Sequence, residues 1–156
     1  MKYLFFISIT FLYFFQIKAQ QTPFEKSNGE QTATYFEAIE FYKNSDKSSS
    51  KILMKEMGPT DAGYPLNIVF ISNDGKFDPM QWHKQNKVVI LINNGIHPGE
   101  PDGIDATMLM VKDLMTRKIA LPENVVIAII PVYNIGGCLN RNTSSRANQN
   151  GPKEYG

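Results

Sequence analysis

The sequence predicts an α/β fold with a mixed, mostly parallel sheet flanked by helices. Two unbroken apolar runs carry the prediction, residues 88–92 and residues 125–130, each reading as a strand buried on both faces. Between them Ile104, Met108, Val111 and Met115 recur at helical spacing. Strand, helix and strand in that order, with connections of this length, predict a right-handed βαβ unit with parallel strands.

The preceding elements are legible one by one. Thr34 and Glu37 have the spacing of a capping box, and Tyr35, Ile39 and Tyr42 follow on one face, with Phe36 beside them. A helix over residues 34–44 is expected, its aromatic residues packing into the core. Residues 45–50 read as a hydrophilic connector. Residues 52–57 can form a strand, residues 66–71 are denser in β-formers, and the two lie close enough to pair as a hairpin across the turn at 58–63. Residues 76–86 read as a polar excursion in which Trp82, the only tryptophan, covers the sheet edge. Pro101 suits the first turn of the later helix. Asp102 and Asp105 near its start and Arg117 and Lys118 near its end complement the helix dipole. Past Pro131 a polar loop crowded with Asn, Gly, Ser and Arg is expected on the same sheet edge as His97, where long loops are often functional.

Composition narrows the function. The chain has 156 residues, enough for one domain with a real core. Its formal net charge of +1, with basic residues scattered, gives no footprint for nucleic acid. A single cysteine, Cys138, excludes an internal disulfide framework and a cysteine-based zinc cluster, and reads as a small packed residue. The N-terminus begins Met1-Lys2 and continues into an apolar run from Tyr3 to Phe15, with Ala19 at its exit. That run is shorter than the roughly 18 residues of a spanning helix. Residues 1–19 are therefore expected to be a secretory signal peptide, leaving a secreted or periplasmic protein with no membrane anchor. Residues 20–50 form an N-terminal segment with one amphipathic helix.

The chemistry concentrates where the first buried run ends. Asn93-Asn94-Gly95-Ile96-His97-Pro98-Gly99-Glu100 brings a histidine and a carboxylate to the carboxyl end of a strand, the edge where open α/β sheets bind ligands. Imidazole nitrogen and carboxylate oxygen are both zinc donors, and Gly99 lets the turn bend tightly. His-x-x-Glu also arises by chance, as a turn histidine beside a helix-start glutamate, and spacing alone leaves both readings open. His83, the other of two histidines, lies in the polar excursion and is a minor competitor. There is no His-Glu-x-x-His helix.

Residues 93–103, Asn-Asn-Gly-Ile-His-Pro-Gly-Glu-Pro-Asp-Gly, resemble the first zinc-binding motif of the zinc carboxypeptidases, the carboxypeptidase A family. Pro131-Val132-Tyr133-Asn134-Ile135-Gly136-Gly137 is similar to that family's Pro-x-x-Asn-Pro-Asp-Gly turn, with Ile135 and Gly136 in place of Pro-Asp. Residues 142–151 resemble the arginine-bearing loop that follows it. The resemblance implies that residues 51–156 are the N-terminal part of a zinc carboxypeptidase-like catalytic domain, cut short at the C-terminus. It implies Zn²⁺ as cofactor, a peptide as substrate, and His97 and Glu100 as metal ligands. Arg146 becomes the catalytic and substrate-binding arginine that polarises the scissile carbonyl, with Arg141 as its competitor. The family's second zinc histidine, carboxylate-gripping Asn-Arg pair and general-base glutamate come later in its order, so they are expected beyond Gly156. Two alternatives remain: a zinc amidase or deacylase with the same His-x-x-Glu core, and a non-catalytic binding module of the same fold. The sequence sets no oligomeric state.

Overall fold

The computed structural model describes residues 20–97 and 99–142; the expected signal peptide lies outside them. A four-stranded sheet has the order β1-β2-β4-β3, formed by β1 (Ile52–Pro59), β2 (Pro65–Ser72), β4 (Val125–Ile130) and β3 (Val88–Asn93). β1 and β2 pair antiparallel as the expected hairpin, with Ile52 opposite Ile71. β2 and β4 are also antiparallel, while β3 and β4 are parallel, with Val88 beside Val125 and Asn93 beside Ile130. The mixed sheet flanked by helices is as the sequence predicts, but it is not mostly parallel among the described strands: the hairpin brings β2 in antiparallel beside β4, so two of the three pairings are antiparallel.

Helix α2 (Tyr35–Ser48) starts at the expected capping box: the Thr34 side chain accepts from the Glu37 N–H, and the Glu37 carboxylate accepts from Thr34 N. It runs past residue 44, so the expected connector is largely helical, with the Ser45 and Ser48 hydroxyls donating to the carbonyls of Phe41 and Asn44 instead of drawing the backbone out of the helix. Tyr35, Ile39 and Tyr42 are buried as expected, whereas Phe36 is 54% exposed and stacks edge-on against Tyr35 and Tyr64. Helix α4 (Asp102–Met115) buries Ile104, Met108 and Val111. Together α2 and α4 cover one face of the sheet, enclosing Val69 and Ile71 of β2 with Ile127 and Ile129 of β4. Because side chains alternate along a strand, Phe70 points to the opposite face.

On that face lies α3 (Pro79–Lys84), a helix within the expected polar excursion, opened by the Asp78 carboxylate accepting from the Met80 N–H. Trp82 is buried there, its ring 5.4 Å from that of Phe70 and its Nε1–H donated to the Lys76 carbonyl. Since β2 is flanked by β1 and β4, Trp82 covers a face of the sheet and not its edge. A second short helix, α1 (Pro23–Lys26), precedes the one helix expected in residues 20–50 and is held by a capping box of Thr22 and Glu25.

One strand departs from expectation. Residues 88–91 of β3 are not buried on both faces but 45–59% exposed. The reason is topological: β3 is the outer strand of the described sheet, paired on one side with β4 only.

Two tests follow from these contacts. Thr107 accepts from Tyr42 Oη at 2.9 Å and from Asn94 Nδ2 at 2.8 Å, and donates to the Gly103 carbonyl at 2.8 Å. Thr107→Val keeps the shape but strands two buried donors, so it should cost on the order of 3 kcal/mol, against about 1 kcal/mol for Tyr42→Phe. Urea unfolding of both variants measures the difference, and equal losses would count against the shared hydroxyl.

The second concerns acid. Asp74 accepts from Lys87 Nζ at 2.7 Å, from the Ser72 hydroxyl at 2.7 Å and from Lys76 N at 3.1 Å, and these donors hold its carboxyl far below the usual range. A carboxylate depressed in the folded state stabilises above its unfolded value of about 4 and loses that contribution as pH falls through the folded value. Stability should therefore decline below pH about 4, and Lys87→Met should flatten the decline. Unfolding midpoints at stepped pH read this directly.

Candidate metal centre

The site is built on the ends of the two parallel strands. Their ladder continues beyond them: Asn94 N donates to the Ile130 carbonyl at 3.1 Å, Tyr133 N to the Asn94 carbonyl at 2.8 Å, and Asn134 N to the Gly95 carbonyl at 3.0 Å. The turn bearing His97 and the turn after β4 are thus stitched backbone to backbone. Gly95 sits at φ +64°, a conformation side chains rarely adopt, and a Cβ there would lie 3.2 Å from Val132 Cγ1. Asn94 is buried, and Gly103 of α4 must lack a side chain because a Cβ would stand 2.8 Å from Asn94 Oδ1.

His97 and Glu100 emerge from this scaffold together. The backbone N–H of Glu100 donates to the His97 carbonyl at 2.9 Å, closing the turn, and α4 begins two residues later. His97 Nδ1 and Glu100 Oε2 lie 3.3 Å apart, with their side chains 55% and 41% exposed. A nitrogen and an oxygen of the types zinc prefers are therefore in direct contact with each other at the solvent-exposed end of the turn. They stand as a pair: no group of three His, Cys, Asp or Glu side chains able to hold a metal occurs among the described residues. His83, exposed on α3, joins no such group.

The neighbouring turn is firmer than a loop. Part of the expected polar loop forms a short helix, α5 (Ile135–Leu139), whose N-cap Asn134 accepts from the Gly137 N–H at 2.9 Å. The Asn134 Nδ2 also donates to the Ile96 carbonyl at 3.4 Å, next to His97. Cys138 on this helix is buried, as expected, and burial pushes its thiol up, away from the nucleophilic thiolate. Arg141, the competitor for the catalytic arginine, sends its guanidinium to the Ala33 carbonyl at 2.8 Å, a contact of the scaffold. Arg146 lies outside the described residues.

Sequence reasoning missed the residues that hold the site in place. Asn94 reads locally as a turn former, and nothing nearby announces its partner Thr107, thirteen residues on. Asn134 carried a usable signal, an asparagine three residues before Gly137 at the spacing of an N-cap.

The sequence pattern of the zinc carboxypeptidases matches residues 39–155. No curated protein gives a significant match. Among solved structures, carboxypeptidase A from Helicoverpa armigera superposes with a TM-score of 0.62 at 19% identity, over 81% of this chain and 28% of that one. Bovine thrombin-activatable fibrinolysis inhibitor, solved in complex with tick carboxypeptidase inhibitor, gives a TM-score of 0.57 at 16% identity, over 81% of this chain and 36% of that one. Those two likenesses show the fold, and the chain spans about a third of each relative's length. The extent of the pattern match, over most of the sequence, shows that this chain belongs to the zinc carboxypeptidase family.

Proposed function

We propose that this chain is the N-terminal part of an exported, zinc-dependent metallocarboxypeptidase that hydrolyses the C-terminal peptide bond of peptides. The observation that carries the proposal is the convergence of His97 Nδ1 and Glu100 Oε2 to 3.3 Å at a strand-end turn, in a chain of this family. Those two side chains would bind the ion, and their donor types and open exposure fit it. A bound zinc supplies Lewis-acid polarisation of the scissile carbonyl and a water acidified toward neutral pH.

The rest of the proposed chemistry belongs to the chain's own residues. Asn134 restrains the backbone beside His97 by donating to the Ile96 carbonyl. Arg146, by its place in the sequence pattern, would donate to the carbonyl oxygen as negative charge develops there; a guanidinium stays charged and offers a planar fork of donors. The remaining ligand and the general base are assigned to chain beyond Gly156. Export rests on the charged start, apolar run and small exit residue of residues 1–19.

In the full-length protein, His97→Ala should abolish stoichiometric zinc, measured by metal analysis after gel filtration; unchanged zinc would reject the ligand assignment. Arg146→Ala should retain zinc and lower kcat by roughly 10²–10³ in a peptide assay that reads released amino acids. Release of acyl groups from acylated amines, without release of amino acids from peptides, would instead identify an amidase or deacylase.

A further inference from the structure

Ala33, in the segment between α1 and α2, is fully buried, and both of its backbone polar groups are taken by charged side chains from distant parts of the chain. Its N–H donates to Asp105 Oδ1 at 3.1 Å, in a buried contact. Its carbonyl accepts from Arg141 Nη2 at 2.8 Å. Asp105 lies in the first turn of α4, five residues after Glu100. Arg141 lies two residues after α5, the helix that Asn134 opens against the carbonyl beside His97. The two elements flanking the His97–Glu100 turn are therefore pinned to one residue. That residue lies outside the stretch matched by the family pattern, residues 39–155.

We propose that Asp105 and Arg141 are positioning residues, which clasp Ala33 and thereby set the spacing between the start of α4 and α5 on which the geometry of His97 and Glu100 depends. The inference rests on the reading of His97 and Glu100 as metal ligands. Its physical basis is the cost of a buried carboxylate and a half-buried guanidinium, which stay where they are only if each is supplied with partners. Burial, with the nearby Asp102, pushes the Asp105 carboxyl up, while the Thr32 hydroxyl, the Ala33 N–H and the charge of Arg141 act the other way. Helix α1, just before that segment, is also tied to α4, through Glu25 and Lys112 Nζ, so the clasp closes a brace along that helix. Apolar contacts are not directional, and the Thr107 bonds to Tyr42 and Asn94 hold the middle of α4. The clasp adds a directional tie at its first turn and joins that turn to the end of α5.

Zinc affinity tests the clasp, measured by chelator competition on the full-length protein alongside the thermal midpoint. Asp105→Ala and Arg141→Ala should each weaken zinc about tenfold, in the range seen when supporting groups around metal ligands are removed. Asp105→Asn, which keeps an acceptor for Ala33, should recover most of the loss. Trp82→Leu, on the opposite face of the sheet, serves as a control of comparable lowered midpoint and should bind zinc as the parent does. If Asp105→Ala does not fold, Arg141→Ala and Asp105→Asn carry the same comparison. Parental affinity in the clasp variants, or an equal loss in Trp82→Leu, would overturn the inference while leaving the metal assignment intact. Unchanged zinc affinity in His97→Ala would overturn both.

Discussion

One hydroxyl holds a disproportionate part of this structure in register. Thr107 Oγ1 takes the Tyr42 phenol from α2, the Asn94 amide from the end of β3, and gives its own proton to the Gly103 carbonyl. A hydroxyl has one donor and two acceptor positions, and here all three are filled inside the core. Burial pushes the Tyr42 phenol well above its usual range, so it stays a donor at any ordinary pH. The apolar packing of α2 and α4 on the sheet supplies most of the driving force, yet it would tolerate small shifts of the helices. The Thr107 junction does not, since a shift would leave polar groups unpaired where no water reaches them.

From that junction the order passes outward to the site. Asn94 is fixed by its side chain to α4 and by its backbone to β4, so the turn that follows has little freedom before it reaches His97. Gly95 and Gly103 permit this closeness, one by its positive φ and one by the missing side chain facing Asn94. The exposed His97–Glu100 pair thus stands on a buried, hydrogen-bonded base. That combination suits a ligand site, in which the reactive atoms face solvent while their supports do not move.

Much of this was legible in the sequence where the signal is local. The capping box at Thr34, the hairpin of β1 and β2, the helical face of α4 and the apolar run of β4 all appear where residue patterns place them. The His97–Glu100 turn was legible too, because its residues are neighbours in the chain. What the sequence hid is non-local or short. α1, α3 and α5 have four to six residues each, too few for a periodic signal, and only their capping residues mark them. The burial of β3 was misread because an apolar run reports composition and not position in the sheet. The roles of Thr107, Asp105 and Arg141 depend on partners 65, 72 and 108 residues away, beyond any window of local pattern.

The open strand β3 has a practical consequence for anyone handling this stretch of protein. Four consecutive β-formers, Val88 to Leu91, stand about half exposed along a line of backbone that pairs on one side only among the described strands. Such a ribbon is a template for strand addition, and a neighbouring copy offers the same ribbon in return. A preparation limited to these residues would be governed by its colloidal behaviour, with self-association rising steeply with concentration. Dilute handling, or a charged residue substituted at Leu91, would oppose that association.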